Sequence, residues 1–417
     1  QGGKKIQFLQ KPVMFIAGIP YRIKQIIENR SFNLNKIQPL IKHKYKNRFK
    51  QFIKNDRNAL LILPRYDHSL SRSIVEIIDL NNFEVIHTYK HDIAEMNDQV
   101  TNSAKFPRLK IDNSPTRFQY QHSLLLDDGS LISTNAYYPI FKIDICSNLK
   151  WINDEEMFHH GTNLEHDGNI WAMASIDPKS RYVNQYQFEA YLDDAIIKLD
   201  IDGNILFRKS VTEILIENNV VPESFVFNNY LSNQIDPIHL NDIEPTFQDT
   251  KYWNKGDLFI SLRELNVIIH FRPRDNKVIN VITGPFAMQH DVDVISDKEI
   301  SIFNNNNFIK DNKHSEVLVY NFETKTFIKL FNDQLKKNNF KTESNGLSEI
   351  LRDGSLMVEE TIHGRIILFN NQGKKEWEFI NKDKNGDIGR VNWIRVIEDE
   401  IFIEKFKSLI KNNKCLN

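Results

Sequence analysis

Five stretches of this chain repeat one order of strands and turns. "QHSLLLDDGSLI" (121–132) leads to "PIFKIDICSNLKWI", and "HHGTNLEHDGNIWA" (159–172) leads, after an insert, to "AIIKLDIDGNILFR". "IHLNDIEP" (238–245) leads to "KGDLFISL" and "NVIIHFRPRDNKVINVI". "QHDVDVISDKEISIF" (289–303) leads to "SEVLVYNFETKTFIKLF", and "NGLSEILRDGSLMVEE" (345–360) to "GRIILFNNQGKKEWEFI". Each unit reads as four short strands, rich in Ile, Val, Leu and Phe, separated by Asp-Gly and Asn-rich turns. A four-stranded antiparallel sheet cannot bury both of its faces alone, so copies of it stack around a closed ring.

Two fragments remain. "NALLILPRYDHSLSRSIVEIIDLNNFEVIHTY" (58–89) has the later strands of a unit, and "GRVNWIRVIEDEIFIEKF" (389–406) has the earlier ones. Joined in one sheet they close the ring without an exposed edge. The fold expected is therefore all-β: a six-bladed β-propeller of four-stranded antiparallel blades over residues 57–417. The alternative is seven blades, if the fragments belong to different sheets. A chain of 417 residues exceeds the roughly 100–200 residues of one simple domain, which such a ring accommodates.

Residues 1–56 read differently. Between Arg22 and Asn55 the chain carries many Lys and Arg and only Glu28 on the acidic side, with apolar residues at helical spacing. We expect a basic, partly α-helical N-terminal extension. It offers a peripheral membrane contact, against the plainer reading of a solvated helix packed on the domain. "PVMFIAGIPY" (12–21) is too short to span a bilayer, and no signal is visible in the chain. A net charge of −1 provides no bulk attraction to nucleic acid. The two cysteines, Cys146 and Cys415, lack metal-ligand spacing, and a single bridge between them stays open.

The histidines share a phase. His122, His160, His239 and His290 each stand near the start of a unit's first strand, the strand nearest the axis of such a ring. Taken singly, each reads as a structural imidazole; taken together they converge on one channel. His122, in "HSLLL", has the least polar company, and His159 and His166 read as alternation partners or surface residues. Asn241 shares a strand face with His239, and Arg263 follows in the next strand, where it either pairs with Glu264 or Asp242 or holds the oxygens of an anion. Imidazoles, an amide and a guanidinium suit a sulfuryl or phosphoryl group. The histidines equally suit a metal ion.

With "HLND", "GDLFISLRELNVI", "QHDVDV" and "ISIFNN", the chain resembles the arylsulfotransferases, bacterial propeller enzymes that move a sulfuryl group from one phenolic ester to another phenol without a nucleotide sulfate donor. The resemblance is specific over about residues 155–310. It implies His290 as the nucleophile of a ping-pong reaction through a sulfohistidine, His239 and His160 as proton carriers, and Arg263 with Asn241 on the sulfuryl oxygens. Gln289 and Asn266, beside Ser261, complete the matched pattern as substrate-binding residues. The resemblance implies no cofactor, an aryl sulfate donor and a phenolic acceptor as small-molecule partners, and a periplasmic or otherwise exported location. "RVNWIR" (390–395) supplies no residue to the pattern. Two other classes stand beside this one: a lyase or hydrolase with a divalent metal on His160, His239 and His290, and a non-catalytic ligand-binding propeller. The inserts 181–194 and 217–234 carry Tyr182, Tyr186, Phe188, Phe225 and Tyr230, either an aromatic rim for a flat substrate or packing between blades.

Overall fold

A computed structural model describes residues 47–54, 56–106, 116–306, 314–413 and 415. The helical reading of the basic extension falls mostly on residues 1–46, outside the described residues. Its described end forms strand β1 (Phe49–Gln51). The strands that follow are β2 (Leu60–Asp67), β3 (Arg72–Asp79), β4 (Glu84–Tyr89), β5 (Gln121–Leu125), β6 (Leu131–Thr134), β7 (Tyr138–Ile143), β8 (Leu149–Leu164), β9 (Ile170–Ser175), β10 (Asp194–Leu199) and β11 (Ile205–Ser210). Next come β12 (Leu240–Pro245), β13 (Leu258–Leu262), β14 (Val267–Arg272), β15 (Lys277–Ile282), β16 (His290–Val294), β17 (Glu299–Asn304), β18 (Glu316–Asn321) and β19 (Thr326–Leu330). The last are β20 (Leu347–Ile350), β21 (Leu356–Glu360), β22 (Arg365–Phe369), β23 (Lys375–Ile380) and β24 (Arg395–Ile397).

All pairings among these strands are antiparallel, and the arrangement is propeller-like. It departs from six separate four-stranded blades. Five sheets form: β12 to β15, β16 to β19, β24-β2-β3-β4, the five-stranded β20 to β23 with β1 on its outer edge, and a seven-stranded sheet from β5 to β11. The seven-stranded sheet exists because β8 runs 16 residues without a break. Its first part pairs with β7 (Phe141↔Ile152) and its last with β9 (Asn163↔Trp171). "KWINDEEMFHH" has no Gly or Pro to end a strand, so nothing separates the two halves. The two chain ends do share a sheet, with Leu60 opposite Ile397, which leaves no basis for a seventh blade built on separate fragments.

The turns follow the Asp-Gly signals. The Asp128 carboxylate accepts from Ser130 N–H at 2.8 Å and that of Asp353 from Ser355 N–H at 2.9 Å, while Gly129 and Gly354 take the positive φ that closes each loop. Inner strands are buried on both faces, as β2 and β9 show, because each sheet is covered by its neighbours.

Carboxylates and one amide stitch sheet to sheet. Asp194 accepts from Leu240 N–H (2.9 Å), Asp242 from Val292 N–H (2.7 Å), Asp291 from Ser348 N–H (2.8 Å) and Glu359 from both Trp393 and Ile394 N–H (3.0 and 2.9 Å). Asn392 then donates to Tyr120 O (2.7 Å) and accepts from His122 N–H (3.2 Å), which returns the circuit to β5. Each bond gives a buried backbone group, a carbonyl at Tyr120 and an N–H in the others, the partner it otherwise lacks. The helix Glu400–Asn412 follows β24 and buries Ile403 and Phe406 in the same apolar cluster as Leu60, Tyr89 and Phe141. Just beyond it, Cys415 is disulfide-bonded to Cys146, 269 residues away in sequence.

Candidate active site

The first strands of the sheets share a local distortion. His122, His160, His239, Asp291 and Trp393 all have positive φ, between 41° and 65°. Register shifts fall beside four of them, at Gln121/Leu124, His159/Thr162, Leu240/Asp242 and His290/Val292. Non-glycine residues with positive φ are uncommon, and bulges re-aim side chains. Here they turn the in-phase histidines towards one place. The rings of His160 and His239 are 5.2 Å apart in an edge-to-face arrangement. Trp393, fully buried, packs against His122 (5.4 Å), His160 (5.7 Å) and His290 (6.1 Å). Thus "RVNWIR", which offered nothing to the family pattern, supplies the ring shared by three of the four histidines.

His290 is 1% exposed. Its Nδ1 lies 2.6 Å from Asn305 Oδ1 and 3.1 Å from Met288 O. The Asn305 amide is oriented by its own Nδ2, which donates to Thr342 O and Asn345 O. Both neighbours of Nδ1 are therefore acceptors, so Nδ1 carries the hydrogen and Nε2 keeps a lone pair. Burial, then the charge of Arg263 and the nearby His239, push the His290 pKa down to about 3. The imidazole is neutral at any ordinary pH.

His239 is the more exposed, its side chain 20% accessible, with Nδ1 2.5 Å from Asp236 Oδ2. His160 is deeper. Burial, then His159, His239, His290 and Arg263, hold its pKa well below the usual imidazole value. His159 is no surface residue: it is 2% exposed, its Nδ1 is 2.7 Å from His160 Nδ1, and its Nε2 is 3.3 Å from Asp194. His122 Nδ1 accepts from the Arg395 guanidinium at 3.1 Å, and its ring rests on Gly161, where a Cβ would come within 2.4 Å of Nδ1. Burial, then Arg395, keep His122 neutral. His166 lies beside Glu165 at 3.5 Å, apart from this cluster.

Arg263 joins the site through its backbone N–H, which donates to His239 O at 3.1 Å, and its Nη1 is 3.0 Å from Glu264. The buried Nε has no protein partner. Burial lowers its pKa from the usual guanidinium value while leaving the group a cation at ordinary pH. Asn241 donates to Gln289 O at 2.7 Å and leaves its buried Oδ1 unpaired. The amide nitrogen of Gln289 is engaged by Leu262 O, Val267 O and Ser261 Oγ (3.1, 3.1 and 3.3 Å), and Asn266 Oδ1 accepts from Met288 N–H at 2.7 Å. Gln289 and Asn266 thus fasten the segment that carries His290. Of the inserts, Phe188 and Tyr230 (5.1 Å) and Tyr186 and Phe227 (5.6 Å) pack on one another around buried Val183, Tyr191 and Val226.

Among the described residues, no three His, Cys, Asp or Glu side chains are gathered closely enough to hold a metal ion. A cavity of about 790 Å³ opens elsewhere, beside the disulfide, lined by His87, His91, Glu95, Cys146 and Cys415 among others, and none of the in-phase histidines borders it.

Three functional neighbours escape a reading of sequence: Asp236, Asn305 and Trp393. Asp236 stands three residues before His239, a signal that was available. Asn305, in "FNNNN", becomes visible only once the β16–β17 register sets His290 opposite Phe303.

Residues 122–382 match the family model described as Arylsulfotransferase (ASST). The chain belongs to the arylsulfotransferase family. No curated protein matches it. Among solved structures, a protein of unknown function from Bacteroides caccae is similar to this arylsulfotransferase-family chain at a TM-score of 0.50 and 10% identity, over 82% of this chain and 99% of that one. At that identity the likeness concerns the fold alone. A virginiamycin B lyase from Staphylococcus aureus has a TM-score of 0.38 and 14% identity over 64% of this chain and 72% of that one.

Proposed function

We propose that this arylsulfotransferase-family chain moves a sulfuryl group from an aryl sulfate ester to a phenol in two displacements at His290. The observation that carries the reading is the hydrogen bonding of His290: Met288 O and Asn305 Oδ1 hold Nδ1–H, which leaves the Nε2 lone pair free. In the first displacement Nε2 attacks sulfur, the S–O bond to the aryl group breaks, and its electron pair leaves on the phenolic oxygen. In the second, an acceptor phenol attacks the same sulfur, the N–S bond breaks, and its electron pair returns to Nε2. Arg263, whose Nε has no protein partner, and the second N–H of the Asn241 amide, whose first is taken by Gln289 O, face the sulfuryl oxygens as donors. His160 and His239 are the groups available to move the phenolic proton.

The seven-stranded sheet counts as two blades that share β8, which makes the ring six-bladed. An exported location is supported by the Cys146–Cys415 bridge, since disulfides persist in oxidising compartments.

The test is incubation with a chromogenic aryl sulfate, following phenolate release and the intact mass of the wild type beside His290→Ala. A phenolate burst with a mass gain of one sulfuryl group, both absent in the variant, is expected. No release and no adduct in the wild type, with or without added phenols, would remove this reading.

A further inference from the structure

The two proton carriers differ in depth and in partner. His160 and His290 are 8% and 1% exposed, whereas the side chains of His239 and Asp236 are 20% and 22% exposed. An aryl sulfate that reaches His290 with its sulfur must leave its aryl oxygen on the outward side, where His239 stands. Asp236 grips His239 twice: Oδ2 takes Nδ1–H at 2.5 Å, and Oδ1 takes the backbone N–H at 3.2 Å. The next residue back is anchored, since Ile235 O accepts from Leu192 N–H at 2.7 Å. A carboxylate accepts only, so the hydrogen of a neutral His239 sits on Nδ1 and its Nε2 is free to take and return a proton. The positive charge that arises then lies against a carboxylate. Burial works to raise the Asp236 pKa, but its hydrogen bond to His239 and that residue's charge outweigh it and keep Asp236 ionised. The Nδ1 of His160 meets His159 Nδ1 in place of a carboxylate, and the groups that act most on its ring are His159, His239, His290 and Arg263.

We propose that Asp236 is a positioning residue that makes His239, and not His160, the carrier of the phenolic proton. The inference rests on the sulfuryl-transfer reading and divides its roles. The cycle starts with His239 doubly protonated, its Nδ1–H on Asp236; as the S–O bond of the donor breaks, Nε2–H gives its proton to the departing phenolic oxygen and the ring is left neutral with its hydrogen on Nδ1. As the acceptor phenol attacks the sulfohistidine, its O–H proton passes to the same Nε2, so the second half restores what the first removed. Replacing Asp236 by Asn removes the carboxylate that balances the doubly protonated ring, so the proton donor of the first half loses its counter-charge.

The experiment is a comparison of Asp236→Asn with the wild type on two esters, nitrophenyl sulfate, whose phenolate leaves without help, and unsubstituted phenyl sulfate, whose phenolate does not. Adduct formation on His290 from nitrophenyl sulfate should change less than about threefold, while that from phenyl sulfate falls about 100-fold. Asp236→Glu should recover part of the loss. A uniform loss on both esters, or no loss on phenyl sulfate, overturns the assignment of Asp236. Should Asp236→Asn not fold, as thermal unfolding reports, His239→Gln carries the same test, and a uniform loss there overturns the assignment of His239. Absence of any adduct in the wild type removes the sulfuryl-transfer reading itself, so the two failures are told apart.

Discussion

Asn305 decides what His290 can do. Its amide is turned by two backbone carbonyls so that an oxygen, not a nitrogen, meets Nδ1. Asn305→Ala removes that acceptor and leaves Met288 O, at 3.1 Å, as the remaining restraint on ring and tautomer. Loss of a partner of this kind reduces activity by roughly 10–100-fold, and the rate of His290 adduct formation, read by mass in single turnover, is where the loss should appear. The depressed pKa of His290 has its own consequence. A free imidazole is about 97% protonated at pH 5 from its reference value, but His290, held down to about 3 by burial and by Arg263, is still neutral there. The amplitude of the nitrophenolate burst should therefore be the same at pH 5 as at pH 7. An amplitude that disappears near pH 6.5 would show an ordinary imidazole at this position.

Strands and turns were the legible elements, and side-chain convergence between sheets was not. The "DDGS", "HDGN" and "RDGS" turns identify their hairpins, because Asp and Gly satisfy a tight loop by mechanisms visible in the chain itself. The shared phase of His122, His160, His239 and His290 was equally visible, since it needs only the repeat. Trp393 was not: what it touches depends on bulges and positive φ values in the first strands of several sheets, and such distortions carry no clear sequence signal. The unbroken β8 departs from the repeat for the opposite reason: between Lys150 and His160 the chain has no Gly or Pro to end a strand where the period calls for a break. At this scale Gly161 gives the sharpest test. It lies in β8 where that strand crosses the His122 ring of β5, and a methyl group there would sit 2.4 Å from Nδ1. Gly161→Ala should cost about 1–3 kcal/mol through forced movement of His122 or the strand, measured as a shift of the chemical unfolding midpoint.

The ring as a whole is closed by β24 on β2, by the sheet-to-sheet carboxylates and by the Cys146–Cys415 bridge. The bridge restrains a long loop in the unfolded chain, so Cys415→Ser should lose about 2–5 kcal/mol of stability while His290 adduct formation, which involves neither cysteine, continues. A second property of the whole molecule is its response to pH. Asp242, Glu244, Asp291, Asp293 and Glu349 approach one another around Arg395 near the first strands; burial raises each of them, and repulsion from neighbouring carboxylates adds to it for all but Asp293, which brings Asp293 to about 6, Asp242 to about 7 and Glu349 to about 8. Their unfolded values lie near 4, so in between the folded state holds more protons and stability falls as pH rises. The buried His122, His160 and His290 act the other way: their folded pKa values are below 6.5, and stability falls as pH drops beneath it. The two groups oppose one another between about pH 4 and 6.5. From about 6.5 to 8 the carboxyls act without that opposition, so the wild type should lose stability across this interval. Glu349→Gln removes a carboxyl raised to about 8 and should flatten the decline by roughly 1–2 kcal/mol, read from denaturant unfolding at pH 6.5 and pH 8. An identical decline in the variant would mean that Glu349 is already ionised at pH 6.5, its charge balanced by Arg395.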